Sequence, residues 1–387
     1  MRAKLPIAAS VLACAWIAAP PAFADDVAPS PVQLVAGLQN SQAEIAQGDL
    51  AAYAAQPKLL RDIAEAFSAT KPEVWRNPRQ AHAAIVYILS GGQPRVVMRL
   101  IESGALPPAD EKIMKGALAY VLSHQTEALK LLGDIDPKSL EPALGGQIAF
   151  VQSVLLTMID AKKAVALLDL ARLLMPGGLV EEAALRREVF LVGDNVRDAQ
   201  KFVTLAGQYL GRFPKSPYAD NFLRSFTATV IRLGLAEDVD SFPKLERMIE
   251  TLGADDRRAF FLTIARAALV SGKIAMADVA STKALTLAQV DSGDEARGRL
   301  YQGAARSLTD QYETGLAQMQ AIDAKKLVKR DAALLAAARN VARRIREKPP
   351  APPVSTPAMA ADDPAATAIH LAEAALASPE MTSEPKP

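Results

Sequence analysis

Lys162-Lys163-Ala164-Val165-Ala166-Leu167-Leu168-Asp169-Leu170-Ala171-Arg172-Leu173-Leu174-Met175-Pro176 is the stretch that decides the fold. Ala164, Leu167, Leu168, Ala171 and Leu174 recur at helical spacing, so they share one face of a helix. Small residues on that face let a neighbouring helix approach closely. Pro176 and the glycines after it, Gly177 and Gly178, stop the helix. A second helix then opens at Val180-Glu181-Glu182-Ala183, which makes the unit a helical hairpin.

The same unit recurs further along the chain. A later helix ends at Leu210-Gly211-Arg212-Phe213-Pro214 and is followed by Ser216-Pro217-Tyr218-Ala219. Pro176 and Pro214 lie 38 positions apart, and Ala183 and Ala219 lie 36 apart. Both intervals are close to the roughly 34-residue tetratricopeptide period with small insertions. In the second turn Ser216 suits a helix N-cap, Pro217 the first helical position and Asp220 the first turn. A further pair spans about 255–289 with Gly272 at its turn, so at least three degenerate pairs are expected between about 146 and 290.

Breaks of the same kind punctuate the chain from about Pro31 to Lys348. They include Gln47-Gly48-Asp49, Ser90-Gly91-Gly92-Gln93-Pro94, Gly133-Asp134, Gly193-Asp194, Gly234, Gly253 and Ser292-Gly293. Strand-like alternation is absent. The expected fold is therefore all-α, a superhelical solenoid of antiparallel helix pairs with tetratricopeptide-like repeats. The expected division is a helical region over 25–145, without a clean period, and the repeat region over 146–348.

Composition agrees and narrows function. Half the residues are hydrophobic but only 5% are aromatic, so Ala and Leu carry the apolar mass, as helices prefer. The 44 Lys and Arg against 43 Asp and Glu leave a net charge of +1, which argues against nucleic acid as a partner.

The two ends of the chain have other roles. Arg2 and Lys4 precede an apolar run from Leu5 to Ala19, and Ala22-Phe23-Ala24 is an A-x-A cleavage site. That is a secretory signal peptide over 1–24, cleaved near Ala24, and it places the mature chain in the periplasm. Val11-Leu12-Ala13-Cys14 is a poorer, lipoprotein-like alternative, with its Leu one place late. Cys14 is the only cysteine, so the mature chain has no disulfide. No other stretch is apolar and long enough to span a bilayer. The Pro-rich segment 349–387 reads as a disordered tail in which Ala365 to Ala377 is a short transient helix.

Chemistry-bearing constellations are scarce. His82, His124 and His370 have no further His or Cys at ligand spacing, so no metal is expected. His82 reads as a core or boundary histidine. Glu181-Glu182, Asp255-Asp256 and Asp362-Asp363 are adjacent acids that point about 100° apart on a helix and do not converge on a substrate. Glu182 and Arg186 read as an i,i+4 pair. Gly91-Gly92 lacks an upstream strand and a Lys, so it reads as a helix stop and not as a phosphate loop. No catalytic residue and no cofactor follow from the sequence.

The last helix carries Lys325, Lys326, Lys329, Arg330, Arg339, Arg343, Arg344, Arg346 and Lys348 around a seam of Val328, Leu334, Leu335, Ala338, Val341 and Ile345. It reads as a solvated face, or as a docking surface for an acidic partner or anionic lipid. A helical solenoid without a catalytic cluster is most simply a protein-binding scaffold.

Three segments carry a family resemblance. They are Trp75-Arg76-Asn77-Pro78-Arg79 through Tyr87-Ile88-Leu89-Ser90-Gly91-Gly92, Leu170 through Arg187, and Tyr209 through Ala219. Over roughly residues 30–320 the chain resembles MotC, the periplasmic chemotaxis and motility family of α-proteobacterial flagellar systems. The third segment is shared with many periplasmic helical repeats. The resemblance implies a non-enzymatic role in flagellar rotation, exerted on the periplasmic part of the stator protein MotB. It brings no catalytic residues. Joined to the solenoid reading, it points to exposed charges and turn residues at the repeat junctions: Glu181, Arg186, Arg187, Arg212 and Tyr218. A general adaptor for cell-envelope assembly is the alternative. A peptidoglycan-cleaving enzyme would need a separate catalytic domain for which the chain has no room.

Overall fold

Every stretch between the break residues forms a helix in the computed structural model, which describes residues 29–346. Among those residues there is no strand. The signal peptide over 1–24 and the tail over 349–387 lie outside the described residues.

Seven helices build the first part: α1 (Pro31–Ala46), α2 (Leu50–Ala69), α3 (Pro78–Leu89), α4 (Pro94–Glu102), α5 (Pro108–Val121), α6 (Gln125–Leu132) and α7 (Pro142–Leu156). Ten follow: α8 (Ala161–Leu174), α9 (Leu179–Phe190), α10 (Ala199–Arg212), α11 (Ala219–Arg232), α12 (Phe242–Met248), α13 (Ala254–Val270), α14 (Ile274–Leu287), α15 (Gly293–Arg306), α16 (Tyr312–Gln320) and α17 (Lys329–Arg346).

The helix ends obey local chemistry. Helices α1, α3, α4, α5 and α7 each open on a proline, whose missing N–H would have been unpaired in the first turn anyway. Asp49 caps α2 by accepting from the Ala51 and Ala52 amides at 2.8 and 2.9 Å, an arrangement worth about 1 kcal/mol. Gly48 just before it has φ +97°, and a Cβ there would lie 2.5 Å from the Lys215 carbonyl oxygen. The α1–α2 corner therefore sits directly against the turn that precedes α11.

Antiparallel pairs organise the chain throughout. From α7 onward, first helices begin at Pro142, Leu179, Ala219, Ala254 and Gly293, 35 to 40 residues apart. The N-terminal region, where the sequence shows no clean period, is built of the same hairpins: α1 with α2, α3 with α4, and α5 with α6. An inserted helical turn at Pro72–Arg76 and the shortness of α4 and α6 hide the repeat there.

Two apolar cores meet at α7. Leu144, Ile148, Val151 and Leu155 face the first, and Ala149 faces the second. Ala46 at the end of α1 joins the second core, because α1 packs on α9. A ladder of rings, Tyr209, Phe222, Phe226 and Phe260, runs through the second core with centroids 3.8 to 6.0 Å apart.

Three local expectations are corrected. Gly193-Asp194 is not a break: the chain continues as a π turn over Leu191–Val196 and ends only at Arg197, in a left-handed conformation. Ser216 does not cap α11, which starts at Ala219. Its Oγ instead accepts from the Tyr218 amide and donates to Glu182. In α17, Leu335 and Ala342 are buried, whereas Val341 and Ile345, expected in the seam, are about half exposed.

Candidate functional site

Helix α9 is the hub of the site, and its acids are its most unexpected feature. Glu181, Glu182 and Glu188 are all buried. An unpaired buried carboxylate would cost several kcal/mol, so each is matched by cations or hydroxyls from other helices. Glu181 takes both terminal guanidinium nitrogens, Nη1 and Nη2, of Arg212 and accepts from the Gly177 amide at 2.6 Å. Glu182 accepts from Arg186 at 3.1 Å, from the Tyr209 hydroxyl at 2.6 Å and from Ser216 at 3.3 Å. Glu188 faces Arg172 at 2.8 Å and Lys201 at 3.1 Å.

These surroundings move proton affinities. Burial and the nearby Asp169 hold the Glu188 carboxyl above its ordinary value, against the pull of Arg172 and Lys201. Burial, then the Glu182 charge, drives the Tyr209 phenol far above the usual tyrosine range. Neither group lines the open surface described next.

A cleft of about 270 Å³ opens beside α9. Its walls come from α1 and α2 on one side and from α7 and α9 on the other, with the α3 end and α5 at its floor. Leu89, Phe150, Val151 and Leu179 give it apolar walls, and Gln42, Gln56 and Gln147 give it amides. The Gln147 Nε2 donates to Ser90 Oγ at 2.9 Å, while its Oε1 is buried without a partner. Arg186 and Tyr218 form one lip, the guanidinium 4.8 Å above the ring centre. Tyr53 meets Tyr218 edge-on at 6.5 Å beside the cleft, where the α1–α2 hairpin touches the α10–α11 turn. Burial raises the Tyr218 phenol above its ordinary value.

Of the five residues expected at the repeat junctions, Glu181, Arg186 and Arg187 lie on α9, and Arg212 and Tyr218 pack against it, each in a different state. Arg186 and Tyr218 stack together on the cleft lip. Glu181 and Arg212 form an ion pair, and here the expectation of an exposed acid is corrected: Glu181 is buried, and only Arg212 is exposed. Arg187 stands apart, donating to Thr157 Oγ1 at 2.9 Å beside Tyr120. The amides Gln42, Gln56 and Gln147 were not singled out by sequence reasoning. Their sequence signal is weak, since a glutamine on an Ala-rich helix looks solvent-facing.

Elsewhere, His82 is a boundary histidine whose Nε2 lies 2.9 Å from Asp110. Among the described residues no group of three or more His, Cys, Asp and Glu is placed to hold a metal ion. No helix among them is long and apolar enough to cross a membrane.

Comparison with known proteins gives this geometry a family. A family model described as "Chemotaxis protein MotC" matches residues 1–386. The chain belongs to the MotC family. The Chemotaxis protein MotC of Rhizobium meliloti (strain 1021) is 28% identical over 346 residues, which cover 89% of this chain and 79% of that relative. The MotC match thus runs beyond the 30–320 span of the three segments and their surroundings.

The MotC-like segments carry much of the packing. Trp75 and Tyr87 are fully buried against Phe67, each with its ring centre 5.1 Å away. The Tyr87 hydroxyl donates to the Leu60 carbonyl and accepts from the Gln93 amide, which pins the α3–α4 turn at the cleft floor. Membership in the MotC family makes the chain a MotC-like chemotaxis and motility protein.

Proposed function

We propose that this MotC-family protein is a non-enzymatic periplasmic protein required for flagellar motor rotation, and that it grips the periplasmic part of the stator protein MotB along its helix-pair surface. The observation that carries this reading is the cleft between the α1–α2 hairpin and α9. Its walls come from segments more than 100 residues apart in sequence and are locked by Gly48 against Lys215 and Tyr53 against Tyr218. A preformed cleft of this kind spares the partner much of the ordering cost of binding. Its lining is apolar with amides that both donate and accept, which suits a polypeptide segment. The unpartnered Gln147 Oε1 supplies one acceptor for an incoming N–H.

In this reading Arg186 and Tyr218 are direct contacts on the lip, and Arg212 is an exposed contact that the buried Glu181 holds in place. Arg187 extends the surface past Arg186, in an adjoining depression that the two arginines share with Asn221 and Ser225.

The test is a clean in-frame deletion, complemented with the wild-type chain or with a Gln147→Ala/Tyr218→Ala variant. The expected result is normal flagella that do not rotate in the deletion and in the variant, with rotation restored by the wild type. Binding of the purified MotB periplasmic domain is expected to weaken at least tenfold in the variant. Loss of flagella on deletion, or normal swimming with altered cell shape, overturns the proposal in favour of a general envelope adaptor.

A further inference from the structure

The solenoid ends on a helix without a mate. Helix α17 packs on α15 and α16 in the place of a first helix, and no second helix follows it among the described residues. It is firmly held. Its fully buried Asp331 faces Arg266 and Arg297 at 3.5 and 3.3 Å, and Arg339 donates to the Met319 carbonyl at the end of α16 at 2.6 Å. At the other end the Tyr312 hydroxyl donates to the Ala342 carbonyl at 2.7 Å, with the Arg346 guanidinium 4.4 Å above its ring.

Beside the buried residues Leu335 and Ala342 runs a second apolar stripe. Leu334, itself partly buried against the second core, is followed by the exposed Ala337, Val341 and Ile345 at i+3, i+7 and i+11. Val341 and Ile345 are 49% and 53% exposed. Arg330 and Arg344 are exposed and flank the stripe by helical geometry. A terminal helix of a solenoid normally turns a polar face to water, so this stripe lacks a cover.

The chain itself carries a segment that matches it. From Pro349 to Pro385 there are five acids, Asp362, Asp363, Glu373, Glu380 and Glu384, and no Lys or Arg. Within that acidic stretch, Asp363-Pro364 has the chemistry of a helix start and Ser378-Pro379 that of a stop. Between them Ala365, Ile369, Ala372 and Leu376 form a stripe at i, i+4, i+7 and i+11. The 18 residues from Glu347 to Pro364 extend to at most about 60 Å, roughly twice the length of α17, so the segment reaches the stripe in either direction. Tethering gives it a local concentration on the order of mM, so weak contacts suffice.

We propose that residues 365–377 pack as a helix on the Leu334–Ile345 stripe of α17 and thereby complete the last helix pair. The mature chain has no cysteine, which makes the test clean. Val341→Cys combined with Ala372→Cys in the full mature chain is expected to form an intramolecular disulfide at high dilution. Backbone hydrogen exchange of 365–377 is expected to be slowed at least tenfold. Leu376→Glu, which leaves the solenoid untouched, is expected to abolish both effects, as is Ile345→Glu at its exposed site. Unprotected exchange in the wild type overturns the proposal. So does protection that appears only at high protein concentration, which would assign the stripe to a second copy. Protection that needs phosphatidylglycerol vesicles overturns it too, in favour of a membrane.

Discussion

The Tyr209 hydroxyl donates to Glu182 Oε1 at 2.6 Å across a junction in which both residues are buried. This bond joins α10 to α9 and, with Arg186 and Ser216, shares one carboxylate among three donors. A hydrogen bond to a charged acceptor away from water contributes about 1.5–3 kcal/mol. Tyr209→Phe keeps the ring stacked on Phe222 and removes only that bond. The variant is expected to lose about 1.5–3 kcal/mol in urea unfolding. A loss below about 0.5 kcal/mol would mean that Arg186 and Ser216 satisfy the carboxylate unaided.

Close helix approach supplies the next prediction. Helices α15 and α16 cross at Gly303 and Gly315. A Cβ on Gly315 would lie 2.5 Å from both the Gly303 carbonyl oxygen and the Ser307 amide nitrogen. Both are backbone atoms that cannot swing aside, so Gly315→Ala must push the helices apart. Alanine's better helix propensity, worth about 1 kcal/mol, works the other way. Overpacking typically costs about 1–3 kcal/mol. A net lowering of the thermal midpoint is expected, and a midpoint at or above wild type would show that the crossing relaxes freely.

Helix punctuation was legible in the sequence because it is local. Gly48 with Asp49, Ser90 through Pro94 and Gly272 are helix ends whose chemistry lies within a few residues. The buried acids were not legible, because what admits Glu181 and Glu182 to the interior stands some 30 residues further on, at Arg212 and Tyr209. Read alone, Glu181-Glu182 followed by Arg186-Arg187 looks like a solvated face. The cleft was hidden for the same reason: Tyr53 and Tyr218 meet only once the solenoid has curved far enough to bring α1 onto α9.

Glu188 sets a pH dependence. Burial raises its carboxyl in the folded chain above the ordinary 4.5, and Asp169 adds to the rise. The folded protein therefore holds this proton at pH values where the unfolded chain has released it. Stability contributed at this site is greatest below 4.5 and falls as the pH rises from 4.5 through the raised folded value. Glu188→Gln removes the titration. The difference in unfolding free energy, wild type minus variant, is expected to decrease across that window and then level off. A difference that grows with pH would mean that Arg172 and Lys201 outweigh the burial.

Arg187 offers a way to separate folding from binding. Its guanidinium donates to Thr157 Oγ1, no carboxylate pairs with it among the described residues, and burial lowers its affinity for its proton. A half-buried cation without a counter-charge costs the fold more than it returns. Thr157 keeps its own bond to the Ser153 carbonyl if the arginine is removed. Arg187→Met retains the apolar stem, and its stability is expected to equal or exceed wild type by up to about 1–2 kcal/mol. On the proposed function Arg187 belongs to the partner surface, so the same variant is expected to spoil swimming in soft agar while its urea midpoint holds or rises. Full swimming would remove Arg187 from the partner surface. A stability loss above about 1 kcal/mol would show that its charge serves the fold itself.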